Sequence, residues 1–179
     1  MSAEDDFAAV ATRLCTACGM CCDGTMFQVV NLQQGDHPAE LGKLGLRVRS
    51  RAIGFFMEQP CPALKEKKCT IYERRPTRCR LFHCQQLRLL ETGQIRESDA
   101  TAMIDSARSL AEEVRALILQ NGLREDGQAL ADRYERVMST PVDAELEPDL
   151  ASAREQLKEA MSRLRLLLNR HFRPPPLAR

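Results

Sequence analysis

Tryptophan is absent from this 179-residue chain and aromatic residues make up only 4% of it, so there is no set of rings to stack against single-stranded nucleic acid. Net charge is +1, which leaves no global field to draw the protein to nucleic acid or an anionic membrane. No stretch approaches the roughly 18 apolar residues of a membrane span. The N-terminus, Met1-Ser-Ala-Glu-Asp-Asp-Phe7, is acidic and lacks the apolar centre of a secretory signal. A dinucleotide-binding glycine motif and a nucleophile elbow are both missing, which argues against the commonest enzyme scaffolds. Cysteine, too, is absent from the ninety-five residues after Cys84.

What the chain does have is eight cysteines, all between Cys15 and Cys84. Without an export signal they point to the reducing cytoplasm, where clustered thiols mean metal or redox chemistry rather than disulfides. The change in composition near Thr92-Gly93 predicts two parts, a cysteine-cluster metal-binding module over residues 1–92 and a helical extension over 93–179 with a Pro-rich tail. Charge is uneven as well. Between Lys43 and Arg88 lie twelve basic residues against Glu58, Glu66 and Glu73, so positive charge gathers around the later cysteines.

Periodicity predicts a short helix from about Glu4 to Leu14, then the cysteine loop, then a short strand over Met26–Val30. Asp36-His-Pro38 reads as a helix start with a stop near Gly42 or Gly45. Leu46–Met57 supplies one or two strands broken at Gly54, and Lys68–Tyr72 is extended as far as Arg75-Pro76. From there one helix is expected through Leu90 to Thr92-Gly93. Three helices follow, one carrying Met103, Ala107, Leu110, Val114 and Leu117 and stopping at Asn121-Gly122, one over about Glu125–Met138, and one over about Pro148–His171. Pro174-Pro-Pro176 then gives an extended tail. The expected fold is mostly α, an irregular cysteine-rich module with room for a small β element, plus three C-terminal helices. Their apolar stripes read as helix packing, within the chain, in self-association or against a protein partner.

Cys15-x-x-Cys18 is a chelating unit, because a two-residue spacer lets both thiolates bite one metal. Cys21 extends it to C-x2-C-x2-C, the run that seizes three corners of a [4Fe–4S] cube in bacterial ferredoxins. Gly19 allows a tight turn between these ligands. Cys22 adjoins Cys21, and adjacent side chains diverge, so Cys22 is expected to serve a different atom or site. Cys61, Cys69, Cys79 and Cys84 complete the set, enough for two four-coordinate sites or for one site with spare thiols. Arg75, Arg78 and Arg80 surround Cys79, which is placed at a helix start; dipole and guanidinium are both expected to lower its thiol pKa and to offset thiolate charge. Arg80, next to Cys79, is the strongest candidate of the three. His83 is read as a surface residue before a ligand, and His37 and His171 as bystanders. The expected cofactor is an iron–sulfur cluster, [4Fe–4S] first, or zinc.

C15-T-A-C-G-M-C-C22, C61-P-A-L64 and C69-T-I-Y-E-R-R-P-T-R-C-R-L-F-H-C84 together resemble the zinc- or iron-chelating CxxCxxCC domain of the YkgJ-type cysteine-cluster proteins, a mainly bacterial family. The resemblance spans roughly residues 12–90 and takes in all eight cysteines, Tyr72, Arg75-Pro76 and Arg80. It implies a metal- or iron–sulfur-binding module, with an iron–sulfur oxidoreductase or the metal subunit of one as the enzymatic alternative. A nucleic-acid module using the bases of 43–88 is the remaining alternative, less favoured because those charges are better placed to neutralise thiolates. No membrane partner is expected.

Overall fold

The computed structural model describes residues 3–124 and 127–174. They form two compact units, one from residues 3–18, 83–124 and 136–174, the other from 19–82 and 127–135. The architecture is mostly helical with two small antiparallel sheets. Among the described residues no helix is long and apolar enough to cross a membrane.

The first unit contains α1 (Ala3–Cys18), α4 (Gln85–Glu91), α5 (Glu97–Gln120), the end of α6 (Leu130–Ser139) and α7 (Pro148–His171). Its core is the α5–α7 pair. Ala100, Ala107, Ala111 and Val114 give α5 a narrow face, and Leu157, Met161, Leu164 and Leu168 of α7 supply the volume that fills it. Truncating any one of those leucines would cost about 2–5 kcal/mol. Arg96 and Asp99 close the N-terminus of α5, while Gly122, at φ +83°, ends the chain's run after Asn121 as expected. Acid at the start of α7 (Asp149) and base at its end (Arg170, His171) match the helix dipole. Buried Phe172 follows, and its carbonyl accepts the Gln85 N–H at 2.9 Å, which pins the start of α4.

In the second unit β1 (Val29–Asn31), β3 (Gly54–Glu58) and β2 (Val48–Arg51) form a sheet in the order β1-β3-β2. Register sets Met57 opposite Val30 on one side and Val48 on the other. All three therefore project from one face, where Met57 packs with Leu41, Leu46, Ala63 and Ile71. Leu41 comes from α2 (Pro38–Lys43), and Leu64–Lys65 (β4) pairs with Lys68–Cys69 (β5) as a hairpin. A 3-10 turn over Tyr72–Arg74 leads into α3 (Thr77–Leu81).

Several expectations need correction. The helix expected to stop at Leu14 runs on as α1 through Cys15 and Cys18, so those two cysteines lie on a helix and not in the loop, and the strand expected over Met26–Val30 is Val29–Asn31. The helix expected from Pro76 to Gly93 is two helices, because Phe82 turns extended (φ −78°, ψ 113°) and Cys84 caps the start of α4. The Phe82 ring packs edge-on against Phe27 at 5.2 Å, a tertiary contact that overrides an unbroken helical pattern. The helix expected from Glu125 begins at Leu130; residues 125 and 126 lie outside the described residues, as do 175 and 176 of the expected Pro-rich tail.

Residues 127–135 seat against the cysteine loop. The Leu130 N–H donates to the Gly24 carbonyl at 3.0 Å, and Gln28 Nε2 donates to Asp132 Oδ1. Gly24 has φ +82°, and a Cβ there would stand 2.9 Å from Ala129 Cα. Gly24→Ala is therefore expected to cost about 2–4 kcal/mol, combining left-handed strain with overpacking. Its urea midpoint checks this, and a wild-type midpoint would mean that the loop does not depend on this close approach.

Candidate metal centre

Gly19 takes φ +69°, ends α1 and starts the cysteine turn. Its carbonyl accepts the N–H groups of Cys22 (2.8 Å) and Asp23 (3.0 Å). Met20 is fully buried, and its carbonyl accepts the Met26 N–H at 3.0 Å, which closes the loop on itself. The Cys22 carbonyl then accepts the Cys61 N–H at 2.7 Å, drawing the second cysteine segment alongside the first. Cys69 sits in β5 opposite Leu64, held by the Thr70 N–H and hydroxyl, both donating to Ala63. Cys79 is the middle residue of α3. Cys61, Cys69 and Cys79 all pack on the Leu41–Met57–Ile71 core.

Electrostatics join four of these thiols. Burial pushes the Cys22 thiol up to about 12, helped by the charges of Cys61, Cys79, Cys69 and Asp23. Cys79 also rises to about 12, through burial first and then Cys61, with the Arg75 guanidinium opposing. Cys61 is raised by burial, with the N–H groups of Ala63 and Leu64 opposing and Cys69 adding to the rise. Thiols perturb one another only when their charges lie within interacting range, so Cys22, Cys61, Cys69 and Cys79 are one electrostatic cluster.

The expected lowering of the Cys79 pKa is not what the surroundings produce. A helix of five residues offers little dipole, and burial outweighs the cations. Arg75 is the guanidinium that bears most on Cys79; it stacks 3.6 Å above the Tyr72 ring and its Nε donates to the Tyr72 carbonyl at 2.9 Å. Arg80 faces Thr77 Oγ1 at 3.4 Å, and its charge acts on Asp36. Arg78 is exposed, and its side chain makes no hydrogen bond or ion pair among the described residues.

The other four cysteines have these surroundings. Cys21 Sγ lies 3.8 Å from Met26 Sδ. Cys15 and Cys18, three apart on α1, share a helix face in the first unit. Cys84 precedes α4 in that unit, its thiol raised by burial against the N–H groups of Leu87 and Gln86. None of the eight is in a disulfide. His83 Nδ1 is 3.6 Å from Glu91 Oε2 and its ring 6.0 Å from that of Phe7, while the His171 carbonyl accepts from Gln86 Nε2.

Many of the basic residues are committed within the fold. Arg47 donates to the Pro60 and Gly127 carbonyls, Arg49 pairs with Glu58, Arg51 lies over Phe56, and Arg88 donates to the His83 carbonyl.

Sequence reasoning missed Asp36 as part of this region. Its carboxylate accepts the Gln33 N–H, the Thr77 N–H and the Thr77 hydroxyl, each at 2.8 Å. Asp two residues before Pro38 carries a cap signal, but nothing in the sequence marks the reach to Thr77.

Residues 14–102 match the CxxCxxCC family, described as a "putative zinc- or iron-chelating domain", and all eight cysteines fall inside the match. This segment belongs to that family. No curated protein and no solved structure matches the chain. The CxxCxxCC assignment makes zinc or iron the ligand to test against the thiol cluster. Its donor chemistry fits. Four half-buried sulfurs that repel one another as thiolates are stabilised together by a thiophilic cation. Among the described residues no three Cys, His, Asp or Glu side chains already stand in an ion-holding arrangement, so packing and electrostatics define the cluster, not coordination geometry.

Proposed function

We propose that the protein is a cytoplasmic metal-binding module in which Cys22, Cys61, Cys69 and Cys79 hold zinc or iron, the iron as part of an iron–sulfur cluster. The observation that carries this is the electrostatic influence of Cys61, Cys69 and Cys79 on Cys22 and of Cys61 and Cys69 on Cys79, which links four thiols drawn from four separate chain segments. Such a site ties the loop at Cys22, the segment entering β4, strand β5 and helix α3 to one ion, which is the work of a structural centre. Cys15, Cys18, Cys21 and Cys84 are proposed as further ligands on their spacing alone; C-x2-C-x2-C is the part that favours [4Fe–4S] and an electron-transfer role.

Elemental analysis with a UV–visible spectrum on anaerobically prepared protein tests the reading. Zinc without colour supports a structural centre; iron with sulfide and a broad visible absorbance supports a cluster. Protein that retains neither metal, and whose thiols stay freely titratable after reconstitution with zinc or with iron and sulfide, would reject it.

A further inference from the structure

The Asp36 carboxylate spans a gap between two parts of the second unit that are far apart in sequence. One oxygen accepts from the Gln33 N–H, inside a turn that the Asp36 N–H closes on the Gln33 carbonyl at 3.0 Å. The other oxygen accepts both the N–H and the hydroxyl of Thr77, the first residue of α3. Helix α3 has five residues, too few to persist on their own account. Its N-cap position is Pro76, which makes no side-chain cap and has no N–H to give. Asp36 thus does from a distance what a capping residue does locally, and it fixes the helix two residues before Cys79. The Arg80 guanidinium, on the same short helix, acts on the carboxylate and helps keep it charged.

We propose that Asp36 is a positioning residue for the metal centre, holding α3 so that Cys79 presents its sulfur to the ion shared with Cys22, Cys61 and Cys69. The inference rests on the four-thiolate reading above. A carboxylate in this role acts like the outer hydrogen-bond partners that orient metal ligands, whose loss typically lowers affinity about 10–100-fold.

The test is Co(II) titration of the full-length protein under anaerobic conditions, following thiolate-to-Co(II) charge transfer and the ligand-field bands, with affinity from chelator competition. Asp36→Ala is expected to bind one equivalent at the cluster with about 10–100-fold lower affinity and displaced ligand-field bands. Asp36→Asn keeps an acceptor for Thr77 but sets an amide against the Gln33 N–H, so it should fall between Ala and wild type. Thr77→Val removes only the hydroxyl bond and should weaken binding by a few-fold in the same direction. Should Asp36→Ala fail to fold, the Asn and Val variants carry the test. Wild-type affinity, or weaker binding with unmoved bands in all the soluble variants, would overturn the positioning role, since general destabilisation does not alter the ligand field. Cys79→Ser separates the two levels of the argument. If it keeps the wild-type charge-transfer intensity, Cys79 is not a ligand and the four-thiolate reading fails; if it loses intensity while the Asp36 variants behave as wild type, only the Asp36 inference fails.

Discussion

Cys22→Ala is expected to remove a whole equivalent of metal from the cluster, not a quarter of one. A four-thiolate site binds through chelation, and three remaining sulfurs on separate segments lose the element that ordered them. The Cys22 backbone also organises the site, its carbonyl taking the Cys61 N–H and its N–H closing on Gly19. The Ala variant keeps those backbone bonds, so the experiment isolates the sulfur. Cys61→Ala, Cys69→Ala and Cys79→Ala should each match it, and the Cys22→Ala/Cys61→Ala pair should lose no more metal than either alone, as expected of groups that act as one unit. Metal content per chain on purified variants measures this. A fractional loss that adds up across the four variants would show that the thiols do not share an ion. Cys18→Ala, measured the same way, asks the corresponding question of the C-x2-C-x2-C run.

How much of this was legible in the sequence depended on range. Helix α7, expected over about Pro148–His171, has those bounds, and α5 stops at Asn121-Gly122, because caps and an apolar stripe are local signals. The break at Gly54 between β2 and β3 was equally local. The break between α3 and α4 was not legible, since the run from Thr77 to Glu91 contains neither Gly nor Pro and is interrupted by Phe82 packing on Phe27. The division of labour among arginines was also hidden. Arg80 is the closer to Cys79 in sequence, yet Arg75 bears more on its thiol because the chain turns at Pro76. Sequence neighbours and spatial neighbours differ most where short elements meet, and that is where the cluster lies.

Removing the metal is expected to reverse the direction in which pH threatens the second unit. In the metal-free fold the Cys22 and Cys79 thiols sit near 12, against an ordinary value of 9.0. A raised pKa means that the fold prefers the neutral thiol. The stability it contributes is fully present below about pH 9 and is lost as pH climbs toward 12. By about pH 9.5 the loss should reach ~1–2 kcal/mol for the two thiols together. The loaded protein runs the other way. Its ligands are thiolates, protons compete for them, and metal is released as pH falls. Chelator-stripped protein should therefore have a lower urea midpoint at pH 9.5 than at pH 7, while loaded protein should hold its midpoint at pH 9.5 and lose it in mild acid. The chain supplies its own reporters. Both tyrosines, Tyr72 and Tyr134, belong to the second unit and there is no tryptophan, so the tyrosine band of the near-UV circular dichroism follows that unit. Far-UV ellipticity follows chiefly α5 and α7, whose core contains no cysteine. The near-UV signal should fail first and the helical signal survive it. A stripped protein equally stable at both pH values would show that Cys22 and Cys79 are not buried as neutral thiols. Loss of both signals in one step would show that the helices depend on the metal as well.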